Sequence, residues 1–118
     1  MINSFRDLKV YQKAYNISLC IHGISLKFPQ FEKNELGNQI RRASKSIPMN
    51  IAEGYGRRGS LADFKRFLVM ALGSCDEIRV QLDYCKDLGY IAENQYQEYS
   101  AVYDEIGRML SSMLKEWK

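Results

Sequence analysis

The chain has 118 residues, 46% of them apolar and 26% charged, with a net charge of +3, which suits one domain spanning residues 1–118. Two prolines and no low-complexity tract argue against disorder, and the longest apolar run, Phe67–Leu72, is far shorter than the roughly 20 residues of a membrane-spanning helix. Charged residues near the N-terminus argue against a secretory signal, so we expect a cytoplasmic protein without a membrane partner.

Four helical patterns follow one another, and no alternation of polar and apolar residues is long enough to predict a sheet. The first helix is predicted to begin at Ser4, whose hydroxyl can cap it, and to run to Phe28 before Pro29. It carries a second apolar row in addition to its core stripe, more than one core face requires. The stripe comprises Val10, Ala14, Ile17, Ile21, Ile24 and Phe28, and the second row comprises Leu8, Tyr11, Tyr15, Leu19 and Leu26.

The second helix is predicted to begin near Asn34, with Gly54 as its left-handed stop. Pro48 falls inside it and removes a backbone donor, which predicts either a kink or a break followed by a short turn. We expect Asn50 and Glu53 to satisfy backbone groups that the proline frees. The inward face comprises Leu36, Ile40, Ala43, Ile47 and Ile51.

The third and fourth helices have the clearest apolar periodicity. Ser60 with Asp63 forms a start signal for the third helix, which is predicted to run to Leu88 and to be closed by Gly89. The fourth helix is predicted from about Ala92 to the C-terminus. The third stripe is Leu61, Phe64, Leu68, Ala71, Cys75, Ile78, Leu82 and Cys85, and the fourth is Tyr96, Tyr99, Tyr103, Ile106, Leu110, Met113 and Trp117.

Short connections between these helices predict an all-α fold, an antiparallel up-down-up-down four-helix bundle. The third helix also carries Val69, Val80 and Tyr84 opposite its core stripe, and exposed rows of this kind usually mark an interface. Residues 1–67 sum to +7 and residues 68–118 to −4, so unlike surfaces of neighbouring copies could attract. The alternative is that the rows widen the core of a single molecule.

The sequence offers little for catalysis or metal binding. The three cysteines, Cys20, Cys75 and Cys85, form no CxxC pair, and the single histidine, His22, has no ligand partner at a suitable spacing. No nucleophile elbow or pair of acids is present. We therefore expect no enzyme activity, no cofactor and no metal.

The middle of the chain concentrates positive charge. Residues 41–67 carry two acidic and seven basic residues. The basic ones are Arg41, Arg42, Lys45, Arg57, Arg58, Lys65 and Arg66. These basic residues predict a nucleic-acid-binding end of the bundle, where Tyr55, flanked by Gly54 and Gly56, could stack on a nucleobase. The alternative is a solvated face, or pairing with Glu53, Asp63 and the acidic half of a neighbouring copy.

The segment Ser46–Arg57, reading SIPMNIAEGYGR, resembles the hallmark of four-helix-bundle proteins linked to intervening sequences in bacterial 23S rRNA genes, often labelled S23 ribosomal protein. Its motif residues are Pro48, Asn50, Glu53, Gly54 and Gly56. Supporting matches are Phe64, Phe67-Leu68, Ala71, Gly73-Ser74, Leu88-Gly89-Tyr90 and Ile106-Gly107-Arg108-Met109-Leu110. The chain departs from the pattern at Ser44-Lys45, where small apolar residues are expected.

This resemblance implies a subunit of a closed homopentamer with no established enzyme activity and a link to RNA. A related bundle is the accessory variability determinant of diversity-generating retroelements, a basic pentamer that partners a reverse transcriptase. The leading hypothesis is therefore a non-enzymatic homo-oligomeric module that binds RNA or DNA through the basic end around the connection between the second and third helices. The alternatives are a protein-interaction scaffold or a partner of a reverse transcriptase.

Overall fold

A computed structural model describes residues 1–117 and contains only helices, with no strand in that part of the chain. A 3₁₀ turn at Phe5–Asp7 precedes α1 (Lys9–Ser25), the short α2 (Gln30–Lys33), α3 (Leu36–Gly56), α4 (Leu61–Asp87) and α5 (Glu93–Glu116). The molecule measures 44 × 24 × 21 Å. Over the same residues, every helix is too short or too polar to cross a bilayer.

The four long helices form an antiparallel bundle in which α3 packs against α1 and α4, and α5 closes the circle between α4 and α1. Gly54, near the end of α3, lies against Phe64, near the start of α4. Midway along both helices, the Ser46 and Ser74 hydroxyls are hydrogen-bonded. The rings of Phe64 and Trp117 are 4.6 Å apart, so the start of α4 meets the end of α5. The predicted four-helix bundle is confirmed.

The core consists mainly of the predicted stripes. Most of their members are buried, whereas Leu61 at the start of α4 is 39% exposed and the outer members of the α5 stripe are partly buried. The surplus rows are exposed only in part in the single chain, because Leu8 is buried in the core and Tyr11 packs against it. Their exposed members are Tyr15, Leu19 and Leu26 on α1 and Val69, Val80 and Tyr84 on α4.

The predicted boundaries of α4 are confirmed to within one residue. The Ser60 hydroxyl accepts a hydrogen bond from the backbone N–H of Asp63 at 3.3 Å and caps the first turn. At the other end, Gly89 adopts a φ of +80°, a conformation in which a side chain would be strained. A glycine at this position therefore ends the helix and turns the chain into α5.

The predicted start of the first helix is wrong. Ser4 does form a capping box with Asp7, but this box caps the 3₁₀ turn and not α1. Leu8 then adopts an extended conformation (φ −72°, ψ 126°) that places its side chain in the core, 6% exposed, so α1 begins only at Lys9. The helix also ends at Ser25, before Phe28, and the predicted loop that follows contains α2.

The predicted left-handed stop at Gly54 is also wrong. The helix α3 runs without a break past Pro48, so the break-and-restart alternative fails, and among residues 1–117 only Gly89 has a positive φ. Gly54 is instead a site of close helix packing. A Cβ there would lie 3.0 Å from the Cβ of Phe67 and 3.3 Å from the carbonyl oxygen of Phe64.

Candidate nucleic-acid interface

A groove of about 630 Å³ runs along the surface between α3 and α4. Its α3 wall consists of residues spaced three and four apart, which places them on one side of the helix. Three basic residues and one acidic residue line it. We call it the basic groove. Its lining residues are Arg42, Lys45, Ser46, Met49, Asn50, Glu53 and Arg57 from α3 and its C-terminal cap, and Phe67 from α4.

The Phe67 ring lies beneath two guanidinium groups. The central carbon of Arg57 is 5.3 Å from the ring centroid and that of Arg66 is 4.6 Å from it. Each arginine also contacts an acidic side chain, since Arg57 Nε donates to Glu53 Oε2 at 2.8 Å and Arg66 Nη2 lies 3.6 Å from Asp63 Oδ1. The result is an aromatic ring in a cationic setting at one end of the basic groove.

Phe67 was not among the predicted site residues, although Phe67-Leu68 is one of the supporting matches to the family pattern. It lies between Phe64 and Leu68 in the sequence but outside the core stripe, and it is half-buried. An aromatic residue at the edge of an apolar stripe and next to an arginine was the available signal. Its place in the groove depends on the close approach of α3 at Gly54, which the sequence did not reveal.

Arg42 and Lys45 are the unpaired cations of the basic groove. Both are exposed, and neither forms an ion pair with any other residue in the range 1–117. An exposed cation without a protein partner is free to neutralise a phosphate. Along α3 they lie about 22 Å and 18 Å from Arg57, at 1.5 Å per residue, so the charges form a line and not a single tip.

Arg41 does not belong to this group. Its Nη1 donates to Ser25 Oγ at 2.8 Å, and its Nη2 donates to the Lys33 carbonyl at 2.8 Å and to Asn38 Oδ1 at 2.7 Å. Gly37 leaves room for this guanidinium, since a Cβ there would be 2.9 Å from Nη1. Arg41 therefore ties α1, α2 and α3 together, and three of its five N–H donors are used within the protein.

Tyr55 is not placed to stack on a base. It is 8% exposed, and the guanidinium of Arg58 lies 4.0 Å from the centroid of its ring. Arg58 also donates to the Tyr55 carbonyl at 2.8 Å, which fixes it against the end of α3. Lys65 is partly exposed in the first turns of α4, outside the basic groove, and Gly56 is the exposed last residue of α3.

The prediction that Asn50 and Glu53 satisfy the backbone groups freed by Pro48 is wrong, because their side chains bond to other groups. Asn50 Nδ2 donates to the Ser46 carbonyl at 2.8 Å, whereas the proline removes a donor from the Ser44 carbonyl. Glu53 pairs with Arg57. Both side chains therefore face the basic groove, where an amide and a carboxylate add hydrogen-bonding groups to its cations.

The nucleophilic and metal-binding groups are dispersed. Cys75 and Cys85 are buried, and desolvation raises the pKa of each thiol to about 12. Cys20 is exposed on α1. Among residues 1–117, no three His, Cys, Asp or Glu side chains lie close enough together to hold a metal ion.

A sequence profile of the 23S rRNA-intervening sequence proteins matches residues 6–112. The chain belongs to the 23S rRNA-intervening sequence protein family. A crystal structure at 1.70 Å of a protein of unknown function from the S23 ribosomal protein family of Bacteroides thetaiotaomicron VPI-5482 has the same fold, with a TM-score of 0.78 and 29% identity. The match covers 90% of this chain and 98% of that one. No curated protein matches the chain.

The segment that resembles the family's hallmark, residues 46–57, forms the last three turns of α3 and its cap. Its residues divide between two roles. Pro48, Gly54 and Tyr55 are buried against neighbouring helices, whereas Glu53 and Arg57 line the basic groove. In this member of the family, the hallmark segment therefore both packs the bundle and forms one wall of the candidate interface.

Proposed function

We propose that this 23S rRNA-intervening sequence protein is a non-enzymatic module that binds RNA or DNA along the basic groove and the adjoining α3–α4 connection. The observation that supports this most is the presence in one groove of two exposed cations, Arg42 and Lys45, that form no ion pair within residues 1–117, together with the Phe67 ring beneath two guanidinium groups. Cations without protein partners supply affinity for phosphates, and an aromatic ring supplies a surface for a base.

Salt dependence tests the electrostatic part of this proposal. Each neutralised phosphate releases counterions, so the logarithm of the binding constant falls by about 0.9 per logarithmic unit of salt on duplex DNA and by about 0.7 on single strands. A labelled structured RNA is titrated with the wild-type protein and with the double variant Arg42→Ala, Lys45→Ala. We expect weaker binding by the variant and a smaller slope.

The matched control is the double variant Lys27→Ala, Arg108→Ala, which removes two exposed cations from outside the basic groove. It lowers the net charge equally and leaves the groove intact. Wild-type affinity in this control, with weakened binding in the groove variant, supports the proposal. Equal weakening in both, or no binding of RNA or DNA by the wild type at low salt, contradicts it.

A second candidate function, a homo-oligomeric protein-interaction scaffold, is favoured by the exposed apolar rows. Tyr15 and Leu19 on α1 and Val80 and Tyr84 on α4 are each about half exposed in the single chain. Because the two rows differ and the chain's halves carry opposite net charge, we propose that copies associate head to tail into a closed ring. The family resemblance implies five copies.

Light scattering measures this assembly directly. Five chains of 13.7 kDa give about 69 kDa. A monomeric mass at micromolar concentration contradicts assembly and leaves the basic groove of each chain as the only proposed interface. An assembly that binds no nucleic acid favours the scaffold over the nucleic-acid-binding module.

A further inference from the structure

The basic groove has a feature that phosphate binding alone does not require. Phe67 is a half-buried aromatic ring that lines a surface groove, and guanidinium groups lie 4.6 and 5.3 Å from its centroid. A planar cation at this distance occupies the position that another planar group takes when it stacks on the ring.

The two arginines can move aside from that position. Their side chains are 49% exposed for Arg57 and 57% exposed for Arg66, and ion pairs this exposed are weak. The Phe67 side chain is half-buried, and its Cβ and Cγ lie where Gly54 brings α3 close to α4. A half-buried ring beside exposed cations is a surface on which a base can stack while the cations bind the flanking phosphates.

We infer that the basic groove binds an unpaired strand of nucleic acid and that Phe67 stacks on one of its bases. This inference rests on the proposed function and adds to it the class of ligand. A base inside a duplex is covered on both faces by its neighbours, so only an unpaired base presents a face to Phe67. A volume of about 630 Å³ is within the range of small-ligand sites and accommodates a nucleotide.

The other lining groups fit the same ligand. Met49, 69% exposed, offers an apolar contact, and the amide of Asn50 can bond the edge of a base. Arg42 and Lys45 lie along the groove, away from Phe67, where they meet successive phosphates of an extended strand. An acidic peptide would use the same cations but would need no aromatic ring.

The test compares Phe67→Leu with the wild type by fluorescence anisotropy. The probes are a labelled 12-nucleotide single-stranded RNA, the DNA of the same sequence, and the RNA paired with its complement. Stacking contributes about 1–3 kcal/mol per base, so we expect Phe67→Leu to weaken single-strand binding about 5- to 150-fold with an unchanged salt slope. The RNA and DNA arms show whether the sugar matters.

Phe31→Leu is the matched control. It makes the same chemical change at an exposed phenylalanine of α2, outside the basic groove, and we expect it to leave binding unchanged. Circular dichroism and thermal unfolding establish that both variants fold. Photocrosslinking of the wild type to an oligonucleotide containing 5-iodouridine gives a second readout, with the adduct expected on Phe67.

The outcomes separate the inference from the function on which it rests. Wild-type affinity in Phe67→Leu, or duplex binding as tight as single-strand binding, overturns the stacking inference while the proposed function stands. Failure of the wild type to bind any of the three probes overturns both. Tight binding of a poly-glutamate peptide in place of the oligonucleotides shows that the groove takes an acidic protein segment, and this also overturns the inference.

Discussion

At the scale of single residues, Gly54 decides how closely α3 and α4 approach. A methyl group there would meet the Cβ of Phe67 at 3.0 Å and the carbonyl oxygen of Phe64 at 3.3 Å. Neither atom is the flexible end of a side chain, so the helices must separate to accept it. Overpacking of this kind typically costs about 1–3 kcal/mol, against the roughly 1 kcal/mol that alanine gains over glycine in a helix.

We therefore predict that Gly54→Ala lowers the free energy of unfolding, measured in urea, by about 1 kcal/mol. The matched variant is Gly73→Ala, inside α4, where a Cβ would meet nothing within 4 Å. It should raise the free energy of unfolding by about 0.5–1 kcal/mol. A gain in stability at both positions would show that the helices separate at no cost.

Arg41 and Arg42 are neighbours in sequence but differ in their roles. The guanidinium of Arg41 makes three hydrogen bonds within the protein, whereas Arg42 is exposed in the basic groove. Hydrogen bonds that involve a charged group contribute about 1.5–3 kcal/mol to stability. The two arginines should therefore respond in opposite ways to substitution.

We predict that Arg41→Ala lowers the free energy of unfolding by about 1.5–3 kcal/mol and leaves RNA affinity unchanged. Arg42→Ala should change stability by less than about 0.5 kcal/mol and reduce the salt slope of RNA binding by about 0.7–0.9. Thermal unfolding and anisotropy on the same two samples measure both quantities. Loss of RNA affinity in Arg41→Ala, with the fold intact, would show that Arg41 contacts the RNA.

At the scale of helices, the sequence predicts best where one local signal is sufficient. The stripe of α4 repeats at three and four residues over its whole length, and both its cap at Ser60 and its stop at Gly89 are local signals, so these boundaries are confirmed. The predicted start of the first helix was wrong because the capping box at Ser4 is equally suited to a 3₁₀ turn. Only the burial of Leu8 in the finished core decides between them.

The candidate site was less predictable than the helices. The run of basic residues in the sequence includes three that line the basic groove, but which of the basic side chains point into the groove depends on neighbouring helices. Arg41 turns toward Ser25, the ring of Tyr55 is buried, and Phe67 is brought to the groove by the close packing of α3. Side-chain direction at a helix–helix boundary is a tertiary property, and local periodicity does not determine it.

The cap of α4 can be tested as an element on its own. Replacing a serine N-cap by alanine costs about 0.5–2 kcal/mol, because one backbone donor of the first turn loses its acceptor. We predict that Ser60→Ala lowers the free energy of unfolding by about 1 kcal/mol in urea. The control Ser112→Ala, at an exposed position inside α5, should stay within about 0.5 kcal/mol of the wild type. Equal values for the two variants would show that the cap contributes nothing.

At the scale of the whole molecule, the exposed apolar residues include two unlike rows, one on α1 and one on α4. A two-fold symmetric contact pairs a surface with itself, whereas a head-to-tail contact pairs two different surfaces. The excess of positive charge in residues 1–67 and of negative charge in residues 68–118 favours the second kind. In a head-to-tail ring, the α1 row of every copy binds the α4 row of one neighbour, and its α4 row binds the α1 row of the other neighbour.

This geometry makes a complementation test possible. Leu19→Asp places a charge in the α1 row and Val80→Asp places one in the α4 row, at positions 57% and 55% exposed, so each variant should fold and remain a monomer. Mixed in equal amounts, the two variants retain one intact row each, and we predict a dimer of about 27 kDa, twice 13.7 kDa, by light scattering. Two-fold pairing of the α1 rows would instead let Val80→Asp associate alone. A mixture that stays monomeric would show that the two rows do not bind each other.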